Sequence, residues 1–243
     1  MDRIRTYDSF RIEVRPSPET NDHEVRFRAD DDDIIDCYWS NVIGLDPDDI
    51  LVKTCQLRSS DKPHRATVAR CNCGVVGCGD IEVEIARSAE KVMWTWDYFE
   101  LHYILMFPAA NYDAEVERAL RDFSWETPDR TAARLLVGKI DYELLASRGL
   151  RCYWASGRNK KDMFTVSLFL DPGPYQLMIH LPWTHESPEQ MADRFAALLT
   201  EPPSTWPNVE WHAVSGHLDA PAIAGPGWRH WDLPPSHTLA TAR

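Results

Sequence analysis

The sequence has no apolar run long enough to cross a bilayer: the most apolar stretch, Tyr103 to Ala110, is too short and carries Pro108 inside it. Its first residues, Met-Asp-Arg-Ile-Arg-Thr-Tyr, hold no apolar leader core, so a cytosolic location is expected and no membrane partner. Positive charge is in short supply: 26 Lys and Arg against 38 Asp and Glu leave a formal charge of -12, which repels phosphate backbones and argues against nucleic acid. G-x-S-x-G, G-x4-G-K-[ST], G-x-G-x-x-G and H-E-x-x-H are all missing. The commonest hydrolase, nucleotide, dinucleotide and zinc-protease readings go with them, so no catalytic residue is assigned and an enzyme is not expected. No repeat of fixed period is present.

What the chain does have is a thiol turn, Cys71-Asn-Cys73-Gly74-Val-Val-Gly77-Cys78, in which glycines let the backbone bend sharply. Three soft donors this close suggest part of a tetrahedral zinc site with Cys71, Cys73 and Cys78 as thiolate ligands. The fourth ligand would come from the preceding loop, with Cys55 or His64 preferred over Cys37. The C-x-C-x4-C spacing departs from the paired C-x2-C knuckles of zinc ribbons, so metal-free hairpin packing stays open. A thiol- or metal-dependent enzyme using this turn with help from His64 is the rival reading, and a redox role has only Arg70 nearby in sequence to lower a thiol pKa. Cys37, Cys55 and Cys152 otherwise read as packing residues in a reducing compartment.

With 243 residues the chain can bury a core without covalent staples. Phe10, Ile12 and Val14 alternate with charged residues, as do Val25 and Phe27, which predicts two antiparallel strands. The run Asp30 to Asp33 reads as a solvated turn, because the alternating ligand spacing of a calcium loop is absent. Gly44-Leu-Asp46-Pro47 predicts a loop feeding a helical turn. Alternation at Ala66 to Arg70, at Ile81, Val83 and Ile85, and at Val92, Trp94 and Trp96 predicts a meander with the thiols at one hairpin tip. Asn111 is expected to cap a helix carrying Tyr112, Val116, Leu120 and Phe123, Thr127-Pro128-Asp129 to open a second, and Asp141 a third. From Leu150 strands return: Phe164 to Leu170 faces Tyr175 to Leu181 across Asp171-Pro172-Gly173-Pro174, the capping box Ser187-Pro188-Glu189-Gln190 opens a helix, and a return strand covers Trp206 to Trp211.

The chain therefore reads as α+β with antiparallel sheets. A β region spans 1–110, a helical segment 111–149, a hairpin, helix and strand region 150–213, and an irregular tail 214–243, with a single compact domain left open. His180, on the polar register of its strand, and His185, beside Trp183 and Glu186, come nearest to a local acid-base site. Trp94, Trp96, Trp183, Trp206, Trp211, Trp228 and Trp231 exceed what one core conveniently hides, so some are expected on the surface, where tryptophan favours protein contacts. With the negative charge this suggests a noncatalytic protein-binding or structural module whose partner is a basic protein, in the manner of acidic immunity proteins that neutralise toxins.

Gly44-Leu-Asp-Pro-Asp-Asp49 followed by the Cys71 to Cys78 turn resembles a family of bacterial proteins, common in actinobacteria, that carry a C-x-C-G-x2-G-C turn after such a segment. The likeness continues through Val92 to Trp96 and through Tyr112, Arg118 to Asp122, Trp125 to Thr127, Arg130 and Arg134, covering the first two thirds of the chain. It implies one inherited architecture and no activity, cofactor or partner.

Overall fold

A computed structural model describes residues 2–17, 23–52, 55–73, 79–171, 175–213 and 219–231. The fold is α+β, and the chain divides into two units, Met1–Trp125 and Glu126–Arg243, each with its own apolar core. The stretch 111–149, expected as a helical segment between two groups of strands, is divided between the two units at Trp125 and Glu126. No helix among the described residues is long and apolar enough to cross a membrane.

The first unit contains β1 (Asp2–Thr6), β2 (Arg11–Pro16), β3 (His23–Ala29), β4 (Asp32–Asp33), α1 (Ile34–Tyr38), β5 (Val42–Gly44), β6 (His64–Cys71), β7 (Asp80–Arg87), β8 (Lys91–Tyr98), β9 (Leu101–Pro108) and α2 (Ala109–Ala119). One sheet runs β1-β9-β8-β7-β6-β5 and a second runs β2-β3-β4. The expected three-strand meander is β6 to β8, β9 extends it by a strand that was not predicted, and Ile12 faces Phe27 across the antiparallel β2–β3 pair. The parallel pairing of β1 with β9 adds an edge that alternation did not predict.

Large rings fill this core. Phe10 lies 4.6 Å from Tyr112 and 4.9 Å from Phe107 between ring centroids, and Phe27 meets Trp94 edge-on at 5.0 Å. The two buried polar tips are satisfied in series: Trp94 Nε1 donates to Tyr112 Oη at 3.1 Å, and Tyr112 Oη donates to the Leu57 carbonyl at 2.8 Å.

Helix α2 does more than cover the core, because its side chains serve the backbone leading into and along β2. Phe10 N donates to Asn111 Oδ1 at 2.6 Å, Ile12 N donates to Glu115 Oε1 at 2.7 Å, and Arg118 donates to the Ile12 carbonyl at 2.7 Å. An otherwise open strand edge is closed this way. Asn111 was expected as a helix cap; instead the helix starts two residues earlier, after Pro108, and the Asn111 amide is spent on Phe10.

The second unit contains α3 (Pro128–Val137), α4 (Tyr142–Ser147), β10 (Leu150–Ser156), β11 (Met163–Leu170), β12 (Tyr175–Pro182), α5 (Pro188–Thr200), β13 (Val209–Ala213) and β14 (Arg229–His230). Its sheet order is β10-β11-β12-β13-β14, antiparallel except for the last pair. Local signals hold here. Thr127 precedes α3 with Pro128 in the first turn, Leu144 N donates to Asp141 Oδ1 at 2.9 Å, and Ser187 with Gln190 forms a reciprocal capping box. Of the turn joining β11 to β12, residues 172–174 lie outside the described residues.

The tail expected from about residue 214 is not wholly irregular: Arg229 and His230 add a short strand to β13, and Trp228 is buried and stacked on Trp206. The tryptophan expectation is corrected as well. Trp94, Trp96, Trp206, Trp211 and Trp228 are all buried, because two cores rather than one receive them.

Candidate functional site

At the thiol turn, β6 ends on Cys71, whose N–H donates to the Gly79 carbonyl at 2.8 Å, and Asn72 N donates to the Asn41 carbonyl at 3.2 Å. These bonds hold the start of the turn, and the Cys71 and Cys73 Sγ atoms meet at 2.8 Å. Cys78 lies outside the described residues. Of the remaining proposed ligands the structure brings neither to this place. His64 opens β6 and Cys71 closes it, seven residue steps or about 23 Å along an extended strand, whereas ligands of one zinc ion all lie about 2 Å from it. The His64 Nε2 instead contacts the Gln56 carbonyl at 2.7 Å.

Cys55 belongs to the core, where burial pushes its thiol pKa up against the opposing pull of the Leu57 amide and Arg58, and a zinc ligand must be the thiolate. Cys37 is exposed on α1, its thiol raised by desolvation and by the neighbouring Asp32. Cys152 is pushed up to about 11 by burial alone. Among the described residues, no group of three or more His, Cys, Asp or Glu side chains is placed to hold a metal ion.

Of the acidic run, Asp30 and Asp31 form the exposed turn that was expected, whereas Asp32 is half-buried and Asp33 buried. Asp30 accepts from Ser9 N at 2.8 Å and from Ser9 Oγ at 3.0 Å, Asp32 accepts from Tyr7 Oη at 3.0 Å and pairs with Arg5, and Asp33 caps α1 while pairing with Arg26 at 2.7 Å. Arg26 is itself buried and also meets Asp36. The carboxylates of Asp30, Asp32 and Asp33 accept from protein donors, and these three serve the fold.

His180 has partners that sequence spacing could not show. Its Nδ1 lies 2.9 Å from Thr165 Oγ1 on β11, its Nε2 lies 3.3 Å from Glu210 Oε2 on β13, and Glu210 Oε1 accepts from Lys160 Nζ at 2.6 Å. Burial lowers the His180 pKa, and Lys160 lowers it further, against Glu210. A hydroxyl, an imidazole and a carboxylate in series resemble a nucleophile with base and orienter, yet Thr165 is 0% exposed and His180 2%, so no substrate reaches the hydroxyl. His185 is exposed in the following loop, where Trp183 Nε1 donates to the Glu186 carbonyl and Glu186 pairs with Arg194. A shallow groove on α2, lined by Ala114, Glu117, Arg118, Arg121 and Asp122, holds charges that pair with one another.

The feature that sequence reading missed is the β8–β9 hairpin tip. Tyr98 pairs with Leu101, leaving a two-residue loop of Phe99 and Glu100. Phe99 has φ 50-odd degrees positive, at 55, a left-handed conformation that hairpin loops of this length usually give to glycine or asparagine. Its ring is 88% exposed and sits edge-on to the 53% exposed Tyr98 at 4.7 Å. Asp97 and Glu100 flank the pair, with Asp97 Oδ1 2.7 Å from His102 Nδ1. The available signal was an aromatic pair, Tyr98 and Phe99, standing between the alternating run Val92 to Trp96 and the apolar run from Tyr103. Comparison with protein family models, with curated proteins and with solved structures finds no match.

Proposed function

We propose that the protein is a noncatalytic binding module that docks a basic protein through the aromatic hairpin tip of its first unit. The observation that carries this reading is Phe99, a large apolar ring 88% exposed and held at positive φ. Folding gains nothing from such a residue, because it adds backbone strain and leaves apolar surface in water. Contact with a partner covers that surface, and aromatic anchors dominate binding energy at protein interfaces. Asp97 and Glu100 beside the rings, on a chain of net charge -12, give the tip the sign that attracts a basic surface.

Replacing Phe99 with a photo-reactive phenylalanine analogue and irradiating cells tests this. The expected product is a covalent adduct with a basic protein whose yield falls as salt rises during capture from lysate. Adducts only with acidic proteins, or none above the level given by the same analogue at Tyr142, contradict the reading.

A further inference from the structure

The 2.8 Å separation of the Cys71 and Cys73 sulfurs discriminates between two chemistries. Two thiolates on one tetrahedral zinc stand about 3.8 Å apart, the edge of a tetrahedron with bonds of about 2.3 Å. A disulfide closes at about 2.04 Å. The observed spacing is a contact between two free thiols, shorter than the metal edge and close enough for a bond to form with little movement. Cys73 is exposed and Cys71 half-buried, so a small reagent in solution reaches Cys73 first.

We propose that Cys71 and Cys73 are a reversible redox dithiol, closed to an intramolecular disulfide by exchange with a low-molecular-weight disulfide of the glutathione type. The Cys73 thiolate attacks one sulfur of the small disulfide, breaking its S–S bond and releasing a thiolate that takes up the proton Cys73 has lost. The Cys71 thiolate then attacks Cys73 Sγ, forming the protein disulfide and expelling the second small thiol, which takes the proton from Cys71. Two protein thiols are oxidised and one small disulfide is reduced to two thiols. The ring so closed spans only three residues, which constrains the unfolded chain little and makes the bond easy to reduce, the behaviour of a switch rather than a staple. The dithiol is on the β6–β7 turn and the aromatic tip on the β8–β9 turn, so the proposal stands or falls independently of the binding role.

The test uses the full chain carrying Cys78→Ser, with Cys78→Ala as a second background in case the first folds poorly. Each is equilibrated in glutathione buffers from fully reducing to fully oxidising, quenched in acid and alkylated. Trypsin cutting after Arg70 and Arg87 then releases the peptide 71–87. The expected result is a doubly alkylated peptide under reducing conditions that converts reversibly to an unalkylated form lighter by two hydrogens, with the far-ultraviolet spectrum unchanged. Adding Cys71→Ser should trap the glutathione adduct on Cys73 instead. A peptide that stays doubly alkylated throughout, or that ends as a glutathione adduct while both thiols are present, overturns the proposal. So does stoichiometric zinc in the chain with Cys78 intact that shields Cys71 and Cys73 from alkylation.

Discussion

Phe99 carries a strain that can be measured without knowing the partner. Holding a non-glycine residue in the left-handed region costs roughly 1–2 kcal/mol, while the extra unfolded-state freedom of glycine costs roughly 0.5–1 kcal/mol. With the Phe99 ring in solvent, Phe99→Gly is therefore expected to stabilise the first unit by up to about 1 kcal/mol in denaturant titration. Phe99→Ala keeps the positive φ and should change stability little.

Arg26 is the opposite case: it is buried between Asp33 and Glu24, and Arg26→Met strands their charges, for an expected loss of about 3–5 kcal/mol. His180 governs a pH dependence. Its folded pKa lies below the ordinary 6.5, so as pH falls past that value the unfolded chain takes up a proton before the folded one does. Stability should therefore decline with falling pH from about 6.5 downward, and His180→Gln should flatten that part of the profile. At this scale the sequence marks His180 by its register, but Thr165 and Glu210 come from neighbouring strands and Lys160 from the β10–β11 loop, and only the folded sheet brings them to it.

Among the elements, those specified by neighbours in sequence were readable and those specified by distant partners were not. The Ser187 capping box and the Asp141 cap involve residues three apart, and the β6 to β8 alternation needs only period two. Asn111 looked like a cap because its chemistry suits one, yet Phe10 N, about a hundred residues away, claims its oxygen. In the acidic run, Asp30 and Asp31 are the exposed turn that the sequence suggested, but Asp32 and Asp33 are not, because Tyr7 and Arg26, which pair with them, lie on other segments.

Gly44 shows the same limit in the backbone. The Gly44 N–H donates to Glu24 Oε2 at 2.8 Å, and a Cβ at position 44 would lie 2.0 Å from the Val25 carbonyl oxygen, so β3 and β5 meet too closely for any side chain. Because the obstacle is backbone, Gly44→Ala should destabilise by more than about 3 kcal/mol, read as a shift in denaturation midpoint at unchanged slope.

For the whole molecule, the place of the division within 111–149, at Trp125 and Glu126, was hidden because α2, α3 and α4 look alike in sequence and differ in which core receives them. Tyr112 and Val116 enter the first core, Ala132 and Leu136 the second. The surplus of tryptophan was the legible trace of two cores, although it suggested surface rings instead. Expressed separately, 1–125 and 126–243 should each unfold cooperatively, as followed by tryptophan fluorescence, since each keeps a complete core.

Two opposed effects of one substitution test the binding role most directly. Once the partner is identified by cross-linking, its affinity for the native chain and for Phe99→Gly is measured by calorimetry beside the stability of both proteins. The expected outcome is a loss of at least about 2 kcal/mol in binding, roughly thirtyfold, together with equal or higher stability. Unchanged affinity in a protein of unchanged fold would contradict it.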